Sequence, residues 1–118
     1  MAFVEHKSPG EGLPLREQEL QLDDVSKLLL KAAVEIEWRG WCQLASSDGA
    51  AVCMEGAMLL AGGRSPNGFF RGMSFRAFER VCDAIKRDGF SVPHEWNDSP
   101  GRTKEEVIAK LRAVALGG

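Results

Sequence analysis

The feature that most constrains the fold is DVSKLLLKAAVEIEWR, from Asp24 to Arg39. Asp23 stands at the N-cap position, Asp24 adds acidic charge at the positive end of the helix dipole, and Gly40 stands where a helix is released. Asp24, Lys27, Lys31 and Glu35 recur at helical spacing and form one narrow polar stripe. Val25, Leu28, Leu29, Leu30, Ala32, Ala33, Val34 and Ile36 fill the remaining circumference, which is wider than the apolar face of an ordinary surface helix. The pattern predicts a helix contacted on two sides, at the centre of the core.

The other elements arrange around it. Ser46-Ser47-Asp48-Gly49 is a turn between two short apolar pieces and predicts a small hairpin. Met54 to Ala61 predicts a short helix ended by Gly62-Gly63, and RSPNGFFRG, Arg64 to Gly72, predicts a loop. A third helix is expected from a Ser74 cap to Asp88, burying Phe75, Phe78, Val81, Cys82 and Ile85. Phe90 to Pro93 is expected to be extended, followed by a polar loop holding His94 and Trp96. Thr103 and Glu106 make a capping box for a last helix, Lys104 to about Ala115, whose inward face is Val107, Ile108, Leu111 and Val114. The fold class predicted is mainly α, a compact bundle of about four helices with one short β-hairpin. Residues 1–22, rich in Pro, Gly and polar residues, are expected to form an N-terminal arm, and residues 23–118 a single helical domain.

With 118 residues, 44% of them apolar, one core needs no metal or disulfide to hold it. A net charge of −2 supplies no general positive field for polyanions. The opening residues lack a basic segment followed by an apolar run, and no window reaches the length of a membrane span, so a cytoplasmic protein without membrane contact is expected. Cys42, Cys53 and Cys82 are odd in number and form no CxxC pair, which predicts reduced thiols. No cofactor motif is visible.

Gly40-Trp41-Cys42-Gln43, the Asp-Gly turn, Val52-Cys53 leading to Gly56-Ala57, and the run Trp96-Asn97-Asp98-Ser99-Pro100-Gly101-Arg102-Thr103 are together distinctive. The chain resembles, over about residues 24–115, an uncharacterised family of small bacterial and phage proteins with a C-terminal WNDxPGRT signature. That resemblance implies no activity, substrate or cofactor.

Three chemistries compete for the polar residues. A cysteine-dependent hydrolase would use Cys42 or Cys53 as nucleophile, His94 as base and Asn97 to orient the ring. Zinc would find suitable donors in Cys42, Cys53, Cys82 and His94, but their spacing lacks the close pairs of structural sites, so no metal is predicted. A Cys42–Cys53 disulfide across the hairpin fits a turn at Ser46 to Gly49 but not a reducing compartment. For nucleic acid, Arg64 to Arg87 carries six basic residues against Glu79 and Asp83, with Phe69 and Phe70 nearby for stacking. Residues 1–37, by contrast, hold eight acidic and four basic residues. The reading favoured by small size and an aromatic-polar surface is a non-enzymatic protein-interaction or regulatory accessory module, whose partner is another protein. Its binding residues are Trp96, Asn97, Asp98, Arg102, Phe69, Phe70, Arg76 and Arg80.

Overall fold

A computed structural model describes residues 22–117. The expected arm lies almost wholly outside them. The described residues form five helices and one two-stranded antiparallel sheet. In chain order these are α1 (Asp24–Arg39), β1 (Ser47–Asp48), β2 (Ala51–Val52), α2 (Met54–Ala61), α3 (Met73–Ile85), α4 (Pro93–Asn97) and α5 (Lys104–Ala115). A single 3-10 turn, Lys86–Asp88, follows α3.

The central role expected of α1 is met: it packs against α5, α2 and α3. Leu29, Ala32, Ala33 and Ile36 are fully buried, and Val25 and Leu28 nearly so. Each large side chain there contributes about 1.5–3 kcal/mol by leaving water. Val34 departs from the expectation and is exposed, because α2 and α3 cover one flank and α5 another, leaving a gap beside the polar stripe. The Asp23 carboxylate accepts from the Ser26 amide at 2.8 Å, which caps the helix, and Arg80 of α3 donates to both its oxygens.

The hairpin differs from the expectation in position. Ser47 pairs with Val52 and Asp48 with Ala51, so the turn is the two residues Gly49 and Ala50, with Gly49 in the left-handed region at φ 64°. On the other edge of β2, Trp41 forms a parallel bridge with Val52. The residue facing Cys53 across the hairpin is therefore Ser46, whose carbonyl accepts from the Cys53 amide, and not Cys42. All three cysteines are free thiols.

Helix α3 also departs from its expected face. Ser74, Ala77, Val81 and Ile85 are buried, Phe78 and Cys82 are half-buried, and Phe75 is exposed. Small side chains decide this: a Cβ placed on Gly62 would lie 3.0 Å from the Ser74 Cβ, so neighbouring backbone approaches α3 over its small residues. Ser74 is not the N-cap. That position belongs to Gly72, while the Ser74 hydroxyl accepts from the Arg71 amide and donates to the Arg71 carbonyl. The helix relaxes into the 3-10 turn before Gly89, at φ 86°, ends it.

The polar loop expected after Pro93 contains the short helix α4. Val92 is extended, as the residue before proline must be, and Pro93 occupies the first helical position, where its missing amide costs nothing. Glu95 reaches back to the Ser91 and Val92 amides.

A Cβ at Gly56 would meet the Ser46 carbonyl oxygen at 2.3 Å, whereas one at Gly63, φ 79°, meets nothing within 4 Å. Gly56→Ala is expected to lose about 3 kcal/mol in urea unfolding through overpacking, against about 1 kcal/mol of backbone strain for Gly63→Ala. Hydrogen bonds from Arg80, then from Ser26, lower the Asp23 carboxyl from 3.8 to about 2. A carboxyl depressed in the folded state stabilises above its unfolded pKa and ceases to do so as pH falls through the folded value. The Asp23 contribution should fade between about pH 4 and pH 2. Arg80→Ala should raise the Asp23 pKa measured by NMR toward the ordinary value and flatten that limb of the stability profile.

Candidate functional site

Part of the set singled out by sequence, Cys42, Asn97 and Asp98, meets in one place, where the segment after α1 crosses the end of α4. Asn97 is completely buried and uses its whole carboxamide. Its Oδ1 accepts from the Trp41 indole at 2.7 Å and from the Met54 amide at 3.0 Å. Its Nδ2 donates to the Cys42 carbonyl at 3.1 Å and to Asp98 Oδ1 at 2.9 Å. Asp98 Oδ1 in turn accepts from the Leu44 amide at 2.9 Å, and Gln43 Nε2 donates to the carbonyls of Asn97 and Ser99. Four consecutive residues, Trp41 to Leu44, are thus bonded one after another to Asn97, Asp98 and Ser99.

This clamp also completes helix α2. The first amides of a helix have no partner within it. Cys53 is the N-cap and its sulfur accepts from the Gly56 amide, while Asn97 Oδ1 serves the Met54 amide from across the fold. Glu55, in the first turn of α2, accepts from the backbone amide of His94 at 2.7 Å, so α2 and α4 cap one another.

Trp96 and Arg102 form the second layer. Trp96 is 3% exposed, in the core. The Arg102 guanidinium lies 3.7 Å from the centroid of its ring, Nε donates to the Trp96 carbonyl at 2.9 Å, and a third contact reaches Glu106. A cation held this close to an aromatic face and largely shielded from water contributes about 1–2 kcal/mol. Thr103 and Glu106 make the expected capping box of α5.

Beside the clamp lies a cleft of about 220 Å³ lined by Leu44, Ala45, Ser46, Cys53, Glu55, His94 and Asp98. Cys53 and His94 therefore share a wall, but the ring of His94 has Glu55 as its partner, Nδ1 to Oε2 2.8 Å, and none of the Asn97 bonds goes to it. Burial pushes the Cys53 thiol up to about 11, and burial followed by the nearby Asp48 and Asp98 charges raises that of Cys42, whose S–H points at the Ala45 carbonyl. A thiol kept protonated in this way is a poor nucleophile. Among the described residues no group of three or more His, Cys, Asp or Glu side chains is placed to hold a metal, so Cys42, Cys53, Cys82 and His94 do not gather.

The other binding candidates separate. Arg80 is engaged by Asp23 and Ser26. Phe69 is 78% exposed, Phe70 half-buried, and Arg76 exposed, forming a different surface from the clamp. Sequence reasoning missed Glu55, Gln43 and the exposed Trp38. The signal for Trp38 was present, since it extends the polar stripe three residues beyond Glu35. No helix among the described residues is long and apolar enough to cross a membrane.

Asn97→Leu would leave the buried Met54 amide, and the half-buried Trp41 indole and Cys42 carbonyl, without their partner. Each such group costs about 1–3 kcal/mol, so the variant should lose at least about 3 kcal/mol in denaturant unfolding.

A family model matches residues 21–116, and it describes a family of unknown function, DUF6197. Comparisons with curated proteins and with solved structures find no match. The matched span takes in every helix described above and both sides of the Asn97 clamp, and the chain belongs to this family of unknown function, DUF6197.

Proposed function

We propose that the protein is a non-enzymatic accessory module that binds another protein through the aromatic face formed by the loop before α3 and the first turns of that helix. The observation that carries this reading is the exposure of two phenylalanines, Phe69 in the loop and Phe75 in the first turn of α3. Phe70 and Phe78 stand 4.7 Å apart between centroids, and Phe75 and Phe78 6.3 Å, so Phe75 packs on a pair of half-buried rings and Phe69 adjoins that pair in the chain. Rigid aromatic side chains lose little conformational freedom on binding and are common anchors in interfaces. Nothing in the packing of the domain requires Phe69 or Phe75 to be aromatic, because the buried face of α3 is Ser74, Ala77, Val81 and Ile85.

The clamp residues fit this reading as support for the domain. Trp96, Asn97 and Arg102 are taken up by the interior, which leaves Phe69 and Arg76 as the exposed members of the binding residues expected from the sequence, with Phe75 added by the structure. The raised thiols and the Glu55-bound ring of His94 favour binding over cysteine hydrolysis. The three unpaired thiols suit a reducing cytoplasm.

Photo-crosslinking in nuclease-treated native lysate tests the proposal. The wild-type chain is expected to trap a defined protein that the Phe69→Ser, Phe75→Ser double variant does not, with the melting temperature of the variant within a few degrees of wild type. An unchanged crosslinking pattern in a folded double variant would contradict it.

A further inference from the structure

We infer that the partner segment seated on the aromatic face is acidic, a stretch of Asp and Glu carrying a few apolar side chains. This rests on the partner-binding reading and follows from the charges around the rings. Arg71 and Arg76 adjoin Phe70 and Phe75 in the chain and are exposed, and Arg64 opens the same loop. Among the described residues none of these three arginines has a carboxylate at ion-pair distance, although Glu79 lies one turn beyond Arg76. Of the other cations of the region, Arg80 pairs with Asp23 and Lys86 with Asp83, while Arg87, also without an ion-pair partner among the described residues, lies beyond the far end of α3. At the phenylalanine end of the basic stripe seen in the sequence, the arginines without an ion pair are therefore Arg64, Arg71 and Arg76, the last two next to phenylalanines in the chain. Guanidinium groups beside an apolar patch match carboxylates in bidentate geometry while the patch takes Leu or Phe side chains between them.

Nucleic acid fits this surface less well. Three arginines on a chain of net charge −2 neutralise few phosphates, so they release few of the counterions that drive nucleic-acid binding. Phe70 and Phe78 lie against each other at 4.7 Å, which leaves no slot for a base between them.

The probes are a synthetic peptide of repeated Glu-Glu-Leu-Phe units, its Lys-Lys-Leu-Phe counterpart, and oligothymidylate, each titrated into the full chain and followed by backbone amide NMR. The acidic peptide is expected to shift the amides of Phe69, Arg71, Phe75 and Arg76. Its affinity should fall roughly tenfold in the Arg71→Glu, Arg76→Glu variant, and also on raising salt to about 0.5 M, where charges are screened within about 4 Å. Equal or tighter binding of the basic peptide, preference for oligothymidylate, or no shift with the acidic peptide would overturn the inference. If the acidic peptide fails while crosslinking in lysate still depends on Phe69 and Phe75, the partner-binding reading stands and only its acidic character falls.

Discussion

One buried carboxamide decides how the parts of this domain meet. Burying an unpaired amide costs several kcal/mol, so Asn97 can be fully enclosed only where two donors face its oxygen and two acceptors face its nitrogen. Trp41, Met54, Cys42 and Asp98 provide that set. They come from the exit of α1, the start of α2 and the end of α4. The requirement therefore fixes three segments relative to one another with directional bonds, which apolar packing alone does not do. Leu44 shows the consequence for the backbone. Its φ of 66° is costly for a residue with a Cβ, and its amide is bonded to Asp98 Oδ1, one more link in the chain of bonds from Asn97.

The surface follows from the same economy of space. Helix α3 presents Ser74 and Ala77 to its neighbours, and the close approach they allow turns Phe75 outward and Phe78 to the margin. Arg80, at the inner edge of the helix, is drawn to the Asp23 cap of α1. What stays outside is Phe69 and Phe75, with Arg71 and Arg76 close by in the chain, while Phe70 between them packs against the core.

The sequence carried much of the fold, because its strongest signals are local. The cap, stripe and terminal glycine of α1, the bounds of Met54–Ala61 and the Thr103–Glu106 capping box were all legible, since each is set by neighbours within a turn. Short helix α4 escaped notice although Pro93 at its first position and Glu95 two residues later are start signals, because five residues carry no periodicity. The face of α3 was misassigned because hydrophobicity favours Phe75 and Cys82, whereas close helix packing favours Ser74 and Ala77. Asn97 stands out as a polar residue, yet three of its four partners are 43 to 56 positions away in the chain and no local rule connects them. The pairing of His94 with Glu55, in place of Asn97, was hidden for the same reason.

The central claim is that the Asn97 bonds are part of the cooperative core. Hydrogen exchange of indole protons tests it most directly, because the chain carries its own control. Trp38 is 85% exposed, while the Trp41 indole is bonded to Asn97 at 2.7 Å. The Trp41 indole proton and the Asn97 side-chain amide protons are expected to exchange only on global unfolding, as slowly as the amides of α1. Exchange of the Trp41 indole at the rate of Trp38 would contradict the account.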